Sequence, residues 1–302
     1  MAKPTKRKIV VPMDFSEQSL IALGQSYNLA REYDAEILLL YIMEDGGLAN
    51  VSNIKLISAK GLGDIKKDIQ KRLDKLAEDA TKKSNVVVDT MIAKGKVYEK
   101  IIEVSDMVDA LMIIMGCNSR KKLRARFIGS NALRVVREAK CPVITIKGKH
   151  HREGCKNIVL PVDLTKETKD KVSHAIEVAK LGSFKAAIRV VSVLQSSDEF
   201  LVNRLTRQLD QVKTHIQKQG VECTAEIIKI SKGDDSLAQC IIDYANKVDG
   251  DLMIIMTQQE ANFTRMFIGS TAQEIVNNCD IPVMSIIPKE HKYKTAEEAA
   301  SN

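Results

Sequence analysis

The stretch "KIVVPMDFSEQS" at residues 8–19 recurs as "NIVLPVDLTKET" at residues 157–168, and this recurrence decides how the chain is organised. Further along the sequence, "LMIIM" begins at Leu111 and again at Leu252, and "FIGSNALRVV" is echoed by "FIGSTAQEIV". The order of these segments is the same in both places, which indicates a tandem duplication. The sequence therefore predicts two copies of one domain.

The domain boundaries are predicted from the same repeats. The first domain covers residues 1–148, a polar linker covers 149–156, the second domain covers 157–288, and a polar tail covers 289–302. A chain of 302 residues has room for two domains of about 150 residues each. The tail has no apolar periodicity, so we expect it to lack packed structure.

Each copy alternates short apolar runs with longer segments of helical periodicity. In the first copy the runs that predict strands are "KIVVPMD", "AEILLLYIM", "VVVDTMIAKG", "ALMIIMG" and "PVITIK". Strands that are apolar on both faces and alternate with helices indicate a parallel sheet covered on both sides. The predicted fold class is α/β, with two tandem Rossmann-like domains, each a mostly parallel five-stranded sheet with helices on both faces.

The helices are predicted from apolar residues at helical spacing. Ser16 offers an N-cap to the first helix, whose apolar positions are Leu20, Leu23, Tyr27 and Ala30. Two longer helices carry matching apolar rows: Ile65, Ile69, Leu73, Leu76 and Ala80 in the first copy, and Leu201, Leu205, Leu209, Val212 and Ile216 in the second. Gly220 is expected to end the latter helix. Shorter helices are predicted at about residues 97–108 and 130–139.

Composition and charge exclude several classes of protein. No apolar run reaches the roughly 18 residues that cross a bilayer, and the basic N-terminus does not resemble a secretory signal, so we expect a cytoplasmic protein without a membrane partner. The six cysteines show no CxxC spacing, which favours reduced, mostly buried thiols over disulfides or a zinc site. A net charge of +7 permits an anionic partner, but the absence of Trp and 4% aromatic residues argue against stacking platforms for single-stranded nucleic acid.

The predicted fold itself indicates where a ligand would bind. In open α/β sheets, ligands lie beyond the carboxyl ends of the strands, where the strand order reverses. Asp14 follows the first predicted strand, and the loop at residues 116–129 follows the fourth. These two segments are therefore the candidate site.

The loop after the fourth strand also carries a family resemblance. The first copy resembles the universal stress protein family, whose nucleotide-binding members carry G-x2-G-x9-G-[ST] at this place. Here Gly116 is followed by two residues, then Ser119, nine residues, and Gly129 with Ser130, so the spacing is kept while the second glycine is serine. "PMDFSEQS", "GKVYEKI" and "CPVITI" are also similar to that family, and the resemblance extends over nearly the whole chain, twice.

The resemblance implies a ligand and its contacts. It implies a non-enzymatic module with at most slow hydrolysis that binds ATP, with Mg²⁺, through residues 14, 42, 116, 119, 129 and 130. Asp14 would lie by the adenosine, and the backbone of Ile42 would face adenine. Because members of that family commonly dimerise through the last strand, the resemblance also implies that the last strands, "PVITI" and "PVMSI", pair within this chain and protect two sheet edges. Glycine allows close approach to phosphates, and a helix that begins at Gly129 offers unpaired N–H groups to an anion.

Five basic residues lie between the glycines, and we favour a lid over phosphates for them: Arg120, Lys121, Lys122, Arg124 and Arg126. Alternatives stay open. This loop would equally serve as a solvated surface or a patch for RNA, the glycines as turn and helix-start residues, and Asp14 as a brace for its turn.

The second copy is predicted to have lost the site. Thr257 and Glu260 are interpreted as standing where the glycines would be, with one residue fewer before Gly269, and Glu260 would repel a phosphate. Asp163, Gly269 and Ser270 persist there.

Other candidate residues are weaker. His150, His151 and Cys155 fall in the linker, where a polar connector is favoured over a metal site. His174 and His215 lie on predicted helices without a triad-like neighbour. Cys117 follows Gly116 at the mouth of the site, where a basic neighbourhood favours a lowered pKa, but most cysteines in such a place are inert, and we assign it no redox role.

Three function classes remain, in decreasing order of support. The first is a stress-response module in which the first copy binds ATP and changes its affinity for a partner. The second is an ATP-independent, chaperone-like or RNA-binding interaction protein. The third is an enzyme, which has the least support because no nucleophile or base converges on the motif. The identity of a protein or RNA partner and the formation of a homodimer stay open.

Overall fold

The computed structural model describes residues 6–44, 62–117, 129–148, 154–163, 168–182, 185–195, 198–231, 235–259, 266–267 and 269–287. The predicted polar tail, most of the predicted linker and the basic loop lie outside the described residues.

The first half follows the predicted alternation of strands and helices. Its elements are β1 (Lys8–Pro12), α1 (Glu17–Glu32), β2 (Glu36–Met43), α2 (Leu62–Ser84), β3 (Val88–Lys94), α3 (Val97–Met107), β4 (Met112–Gly116), α4 (Ser130–Glu138) and β5 (Val143–Ile146).

The second half repeats this order and adds two short strands after its fourth long one. Its elements are β6 (Asn157–Pro161), α5 (Thr168–Ala179), β7 (Ala187–Leu194), α6 (Glu199–Lys218), β8 (Cys223–Lys229), α7 (Leu237–Lys247), β9 (Leu252–Met256), β10 (Gln258–Gln259), β11 (Met266–Phe267), α8 (Ser270–Asn278) and β12 (Val283–Ile286).

The two halves form one ten-stranded sheet in the order β3-β2-β1-β4-β5-β12-β9-β6-β7-β8. Neighbours within each half are parallel, whereas β5 and β12 pair antiparallel, with Ile144 opposite Met284. The prediction that the last strands pair is therefore confirmed. Because the junction is antiparallel, the carboxyl ends of the strands in the two halves point to opposite edges of the sheet.

Helices cover both faces of this sheet, and each face has one hydrophobic cluster that includes residues of both halves. One cluster packs α1, α2, α5 and α6 against the sheet, and the other packs α3, α4, α7 and α8. A polar contact also crosses between the halves, since the Lys147 ammonium donates to the carbonyl of Asn277 at 2.8 Å. The core is thus continuous across the repeat.

Local signals predicted several helix ends correctly. Ser16 caps α1, where its side chain accepts from the backbone N–H of Ser19 at 3.2 Å. Gly220 follows α6 with φ +78°, a left-handed conformation that glycine adopts without strain. Two of the predicted apolar positions differ, because Leu20 and Leu201 are 43% and 41% exposed near the starts of their helices. Within the described residues, no helix combines the length and the apolar character that spanning a membrane requires.

The shared core predicts that the two halves unfold together. Met284 is fully buried in the central strand β12, so Met284→Ala should lower the free energy of unfolding by about 2–5 kcal/mol. Urea unfolding followed by circular dichroism should show one transition at lower denaturant.

The matched control is Val87→Ala, at a side chain that is 53% exposed, which should change stability by less than about 0.5 kcal/mol. Two separate transitions, of which Met284→Ala shifts only one, would contradict the shared core.

Candidate functional site

The order of strands reverses between β1 and β4 in the first half, so a crevice is expected beyond their carboxyl ends. Asp14 follows β1 and is exposed, and Gly116 is the last residue of β4. Ile42 lies near the end of β2, where it pairs with Ala93 of β3. Ser119 and the five basic residues of the loop lie outside the described residues. The structure thus brings the segments after β1, β2 and β4 to one edge.

Asp14 shapes the turn between β1 and α1. Its carboxylate oxygen accepts the backbone N–H of Ser16 at 2.9 Å, while the next residue, Phe15, has φ 59°. That left-handed conformation is disfavoured for a residue with a Cβ atom, so tertiary contacts must hold it. Asp14 therefore braces its turn, which is one of the roles that the sequence left open. The residue is nevertheless exposed at the surface.

Gly116 is required by the approach of a helix. A Cβ atom added at this residue would lie 2.3 Å from the carbonyl carbon of Gln18 and 2.6 Å from the backbone nitrogen of Ser19. The first turn of α1 thus packs directly on the end of β4. The sequence assigned this glycine to a phosphate contact, whereas the described contacts explain it by packing of α1.

The start of α4 is open to an anion. Gly129 is the N-cap, with φ −61° and ψ 147°, and as a glycine it makes no side-chain cap hydrogen bond to the first N–H groups of the helix. Ser130, the first helical residue, is exposed. Unpaired N–H groups and the positive end of the helix dipole favour a negative ligand here.

A stacked cluster beside Asp14 was not found by sequence reasoning. The centroid of the Phe15 ring lies 5.7 Å from that of the Tyr41 ring, and the two planes are tilted by 36°. The Arg72 guanidinium lies over the Phe15 ring, 4.3 Å from its centroid. Burial raises the pKa of the Tyr41 hydroxyl, the Asp14 carboxylate raises it further, and the Arg72 guanidinium opposes both. Arg72 comes from α2, far along the chain, and no local motif marks it.

The second half requires a correction of register. Met112 pairs with Ile9 in the first half, and Leu252 pairs with Ile158 in the second. Likewise the N–H of Cys117 donates to Ile146, and the N–H of Thr257 donates to Ile286. The two "LMIIM" stretches are therefore displaced by one residue, and Met256 is the structural counterpart of Gly116.

The predicted glycine positions of the second half were consequently wrong. Thr257 corresponds to Cys117 and not to Gly116. By the same displacement, the counterpart of Ser119 is Gln259 and not Glu260. Glu260 lies outside the described residues. The interval from Met256 to Gly269 equals that from Gly116 to Gly129, so no residue is missing. Aligning the two identical "LMIIM" stretches gave the wrong register, because a strand that is buried on both faces accepts the same apolar residues in either register.

The loop after β9 also has its own structure. Gln258 pairs with Phe267 and Gln259 with Met266 in a short antiparallel ladder. Backbone groups engaged in a ladder are not directed at a phosphate. Asp163 is exposed, and Gly269 caps α8 with φ −59° and ψ 154°, almost as Gly129 caps α4. The halves thus share the helix start but differ at the end of the fourth strand.

The pKa of Cys117 is raised, in agreement with an inert thiol and in contrast to the lowering that basic neighbours would cause. The thiol is 4% exposed, and burial raises its pKa to about 12, although the Lys147 ammonium acts in the opposite direction. Burial likewise raises the pKa of Cys155, which packs at the start of the second half, to about 12. At Cys117 desolvation therefore outweighs the charge of Lys147.

The remaining candidates do not join the crevice. His174 lies on α5 with its Nδ1 atom 3.8 Å from the Glu177 carboxylate, and His215 lies in the last turn of α6. His150 and His151 lie outside the described residues. In the part of the chain that the structure describes, no group of three or more His, Cys, Asp or Glu side chains is arranged to hold a metal ion.

Comparisons with known proteins agree on one family. The family model described as the universal stress protein family matches residues 6–147 and again 154–286. A universal stress protein of Methanocaldococcus jannaschii is 32% identical over 144 residues, which cover 47% of this chain and 82% of that protein. A universal stress protein of Bacillus subtilis is 23% identical over 145 residues, covering 46% and 98%. Among solved structures, a universal stress protein from Archaeoglobus fulgidus DSM 4304 superimposes with a TM-score of 0.73 at 16% identity, covering 93% of this chain and 98% of that one, which shows the shared fold.

The contact at Gly116 predicts an effect on stability. Gly116→Ala should lower the free energy of unfolding by about 1–3 kcal/mol, because its Cβ atom must displace the backbone of α1. Gly63→Ala on α2 is the control, since its Cβ atom would meet nothing within 4 Å. Urea titration of both variants checks this, and equal effects of the two substitutions would count against the packing role.

The buried thiol predicts a difference in reactivity. In the native protein at pH 8, Cys117 should react with a thiol reagent at least about a hundredfold more slowly than the partly exposed Cys240, because so little of it is thiolate. Mass spectrometry of labelled peptides over time checks this. Comparable rates at the two cysteines would show that Cys117 is accessible and activated.

Proposed function

The chain belongs to the universal stress protein family, and on that premise we propose that its first half binds an adenine nucleotide, ATP with Mg²⁺, without turning it over. Nucleotide occupancy would change the affinity of the protein for a partner, as the resemblance implies for a stress-response module. The second half serves the fold and does not bind nucleotide.

One observation carries the proposal: the exposed Asp14 and the uncapped start of α4 follow the two strands at which the sheet order reverses. The N–H groups at Gly129 and Ser130 suit phosphate oxygens. The Asp14 carboxylate, which accepts hydrogen bonds, suits ribose hydroxyls. The backbone of Ile42 at the end of β2 is assigned to adenine by the family resemblance.

The residues present fit such a ligand in one further respect. The Oε1 atom of Gln18 is buried and, within the described part of the chain, has no hydrogen-bond partner. Buried polar atoms without partners are rare in native proteins and call for an explanation. Gln18 is the residue whose backbone closes on Gly116, and a ligand with amino and hydroxyl donors would supply a partner.

The second half lacks the corresponding features. Met256 brings a buried side chain to the position of Gly116, and Gln259 engages in a ladder at the position of Ser119. The retained Gly269 begins α8 in the same way as Gly129 begins α4, so a helix start alone does not separate the halves. This asymmetry favours one nucleotide per chain.

The described groups near the end of β4 support the part of the proposal that limits ATP hydrolysis to at most a slow reaction. Cys117, which directly follows β4, has a pKa raised to about 12 and is therefore a thiol at neutral pH. His174 and His215 lie on α5 and α6, which belong to the second half. A general base with a pKa near the working pH would be needed for efficient catalysis.

Substitution of the two equivalent glycines tests the proposal. Gly129→Glu places a carboxylate at the start of α4, where it occupies and repels the phosphate position, and should lower ATP affinity by at least about a hundredfold. Gly269→Glu makes the same change at α8 and is the matched control, with unchanged affinity. Isothermal titration calorimetry of the full chain should give one ATP per chain for the unmodified protein.

Three results would overturn this assignment. Two equivalent sites would show that the second half binds as well, and loss of binding in Gly269→Glu alone would place the site there. If the protein binds no ATP and releases none when it is denatured, the second function class, an ATP-independent interaction protein, would be favoured.

A further inference from the structure

We propose that the stack of Arg72 on Phe15 and Phe15 on Tyr41 holds Asp14 in position. In this stack, the contact of Arg72 with the Phe15 ring stabilises the turn that carries Asp14. The consequence for ligand affinity rests on the proposed nucleotide site, whereas the effect on the turn does not.

The need for such a device comes from the backbone. Phe15 has φ 59°, which is unfavourable for a bulky side chain, and this conformation directs the Asp14 carboxylate to the N–H of Ser16. A disfavoured conformation persists only where surrounding contacts hold it. The turn carries no glycine that would relieve the strain.

The contacts that hold Phe15 come from two other elements. Tyr41, which is 8% exposed near the end of β2, supports one ring contact, and the Arg72 guanidinium from α2 supplies a cation–π contact 4.3 Å from the ring centroid. The stack therefore joins the Asp14 turn to α2 and to the strand that carries Ile42. Two of the proposed ligand contacts are fixed by one cluster.

The second half provides an internal comparison. In the first half Pro12 pairs with Leu40, and Tyr41 is the next residue. In the second half Pro161 pairs with Val191, and Ser192 is the next residue, so Ser192 is the counterpart of Tyr41. The apolar rows of α2 and α6 have the same spacing, which makes Gln208 the counterpart of Arg72. The repeat aligns Leu164 with Phe15. All three members of the stack are thus replaced in the half that we assign no nucleotide.

Arg72 acts through the turn in this proposal and does not touch the ligand. It packs on the face of the sheet that bears α1 and α2, whereas α4 and its open N-terminus belong to the opposite face. A group that fixes Asp14 should influence adenosine and ATP equally. A group that contacts phosphate should influence ATP alone.

The first arm of the test uses the free, full-length protein. Hydrogen–deuterium exchange of the Ser16 and Ser19 amides should be about two- to fivefold faster in Arg72→Gln, the loss expected for one exposed cation–π contact. Arg72→Lys should restore most of the protection, since a lysine also binds over a ring. Lys71→Gln, at the neighbouring exposed residue, is the matched control and should leave exchange unchanged.

A double variant separates positioning from a general loss of stability. If Arg72 acts through the Phe15 ring, Arg72→Gln should add nothing to the faster exchange of Phe15→Leu. Unchanged exchange in Arg72→Gln, or additive effects of the two substitutions, would overturn the proposal.

The second arm measures binding of ATP and of adenosine by calorimetry. Arg72→Gln should weaken both ligands by the same factor, about two- to fivefold. Weaker binding of ATP alone would overturn the positioning role, because Arg72 would then contact phosphate. If the unmodified protein binds neither ligand, the proposed nucleotide function fails, and the exchange arm still decides whether Arg72 holds the turn.

Discussion

The antiparallel pairing of β5 with β12 is the contact on which the rest of the structure depends. Each of these strands is four residues long and buried throughout, so they are central to the core although they are the last strand of each half. Left unpaired, each would present a row of free N–H and C=O groups at a sheet edge. Pairing within the chain satisfies these groups and fuses two sheets into one, with a hydrophobic cluster on each face that includes both halves.

The same pairing separates the two carboxyl edges. Because β5 and β12 run in opposite directions, the crevice of the first half and its counterpart lie at opposite edges of the sheet. Changes at one edge therefore leave the other edge's contacts in place. The second half can therefore have Met256 and the β10–β11 ladder at the end of its fourth strand without disturbing the packing of α1 on Gly116 in the first half. A duplicated fold with opposed edges permits one copy to keep a ligand site and the other to serve the shared core.

The sequence was sufficient for the fold and for part of the site. Strand and helix positions and the Ser16 cap follow from periodicity, capping chemistry and repeats, which are local or recurrent signals, whereas the pairing of the last strands was expected from the family resemblance. The register of β9 was not predictable, because a wholly apolar strand reads the same when displaced by one residue. The role of Gly116 and the contact of Arg72 with Phe15 were also missed, since both join residues that are distant in the sequence.

Residues kept in both halves are those that the fold itself uses. Gly129 and Gly269 begin their helices with nearly the same backbone angles, and Asp14 already braces its turn by accepting the N–H of Ser16. Their presence alone therefore cannot distinguish a binding half from a structural one. Within the described residues, two features occur in the first half alone: the packing of α1 on Gly116, and the contacts of Arg72 and Tyr41 with Phe15 beside Asp14. These features connect α1, α2, β2 and β4 at the carboxyl ends of the strands of the first half, and a ligand site requires such preorganisation in addition to the motif residues.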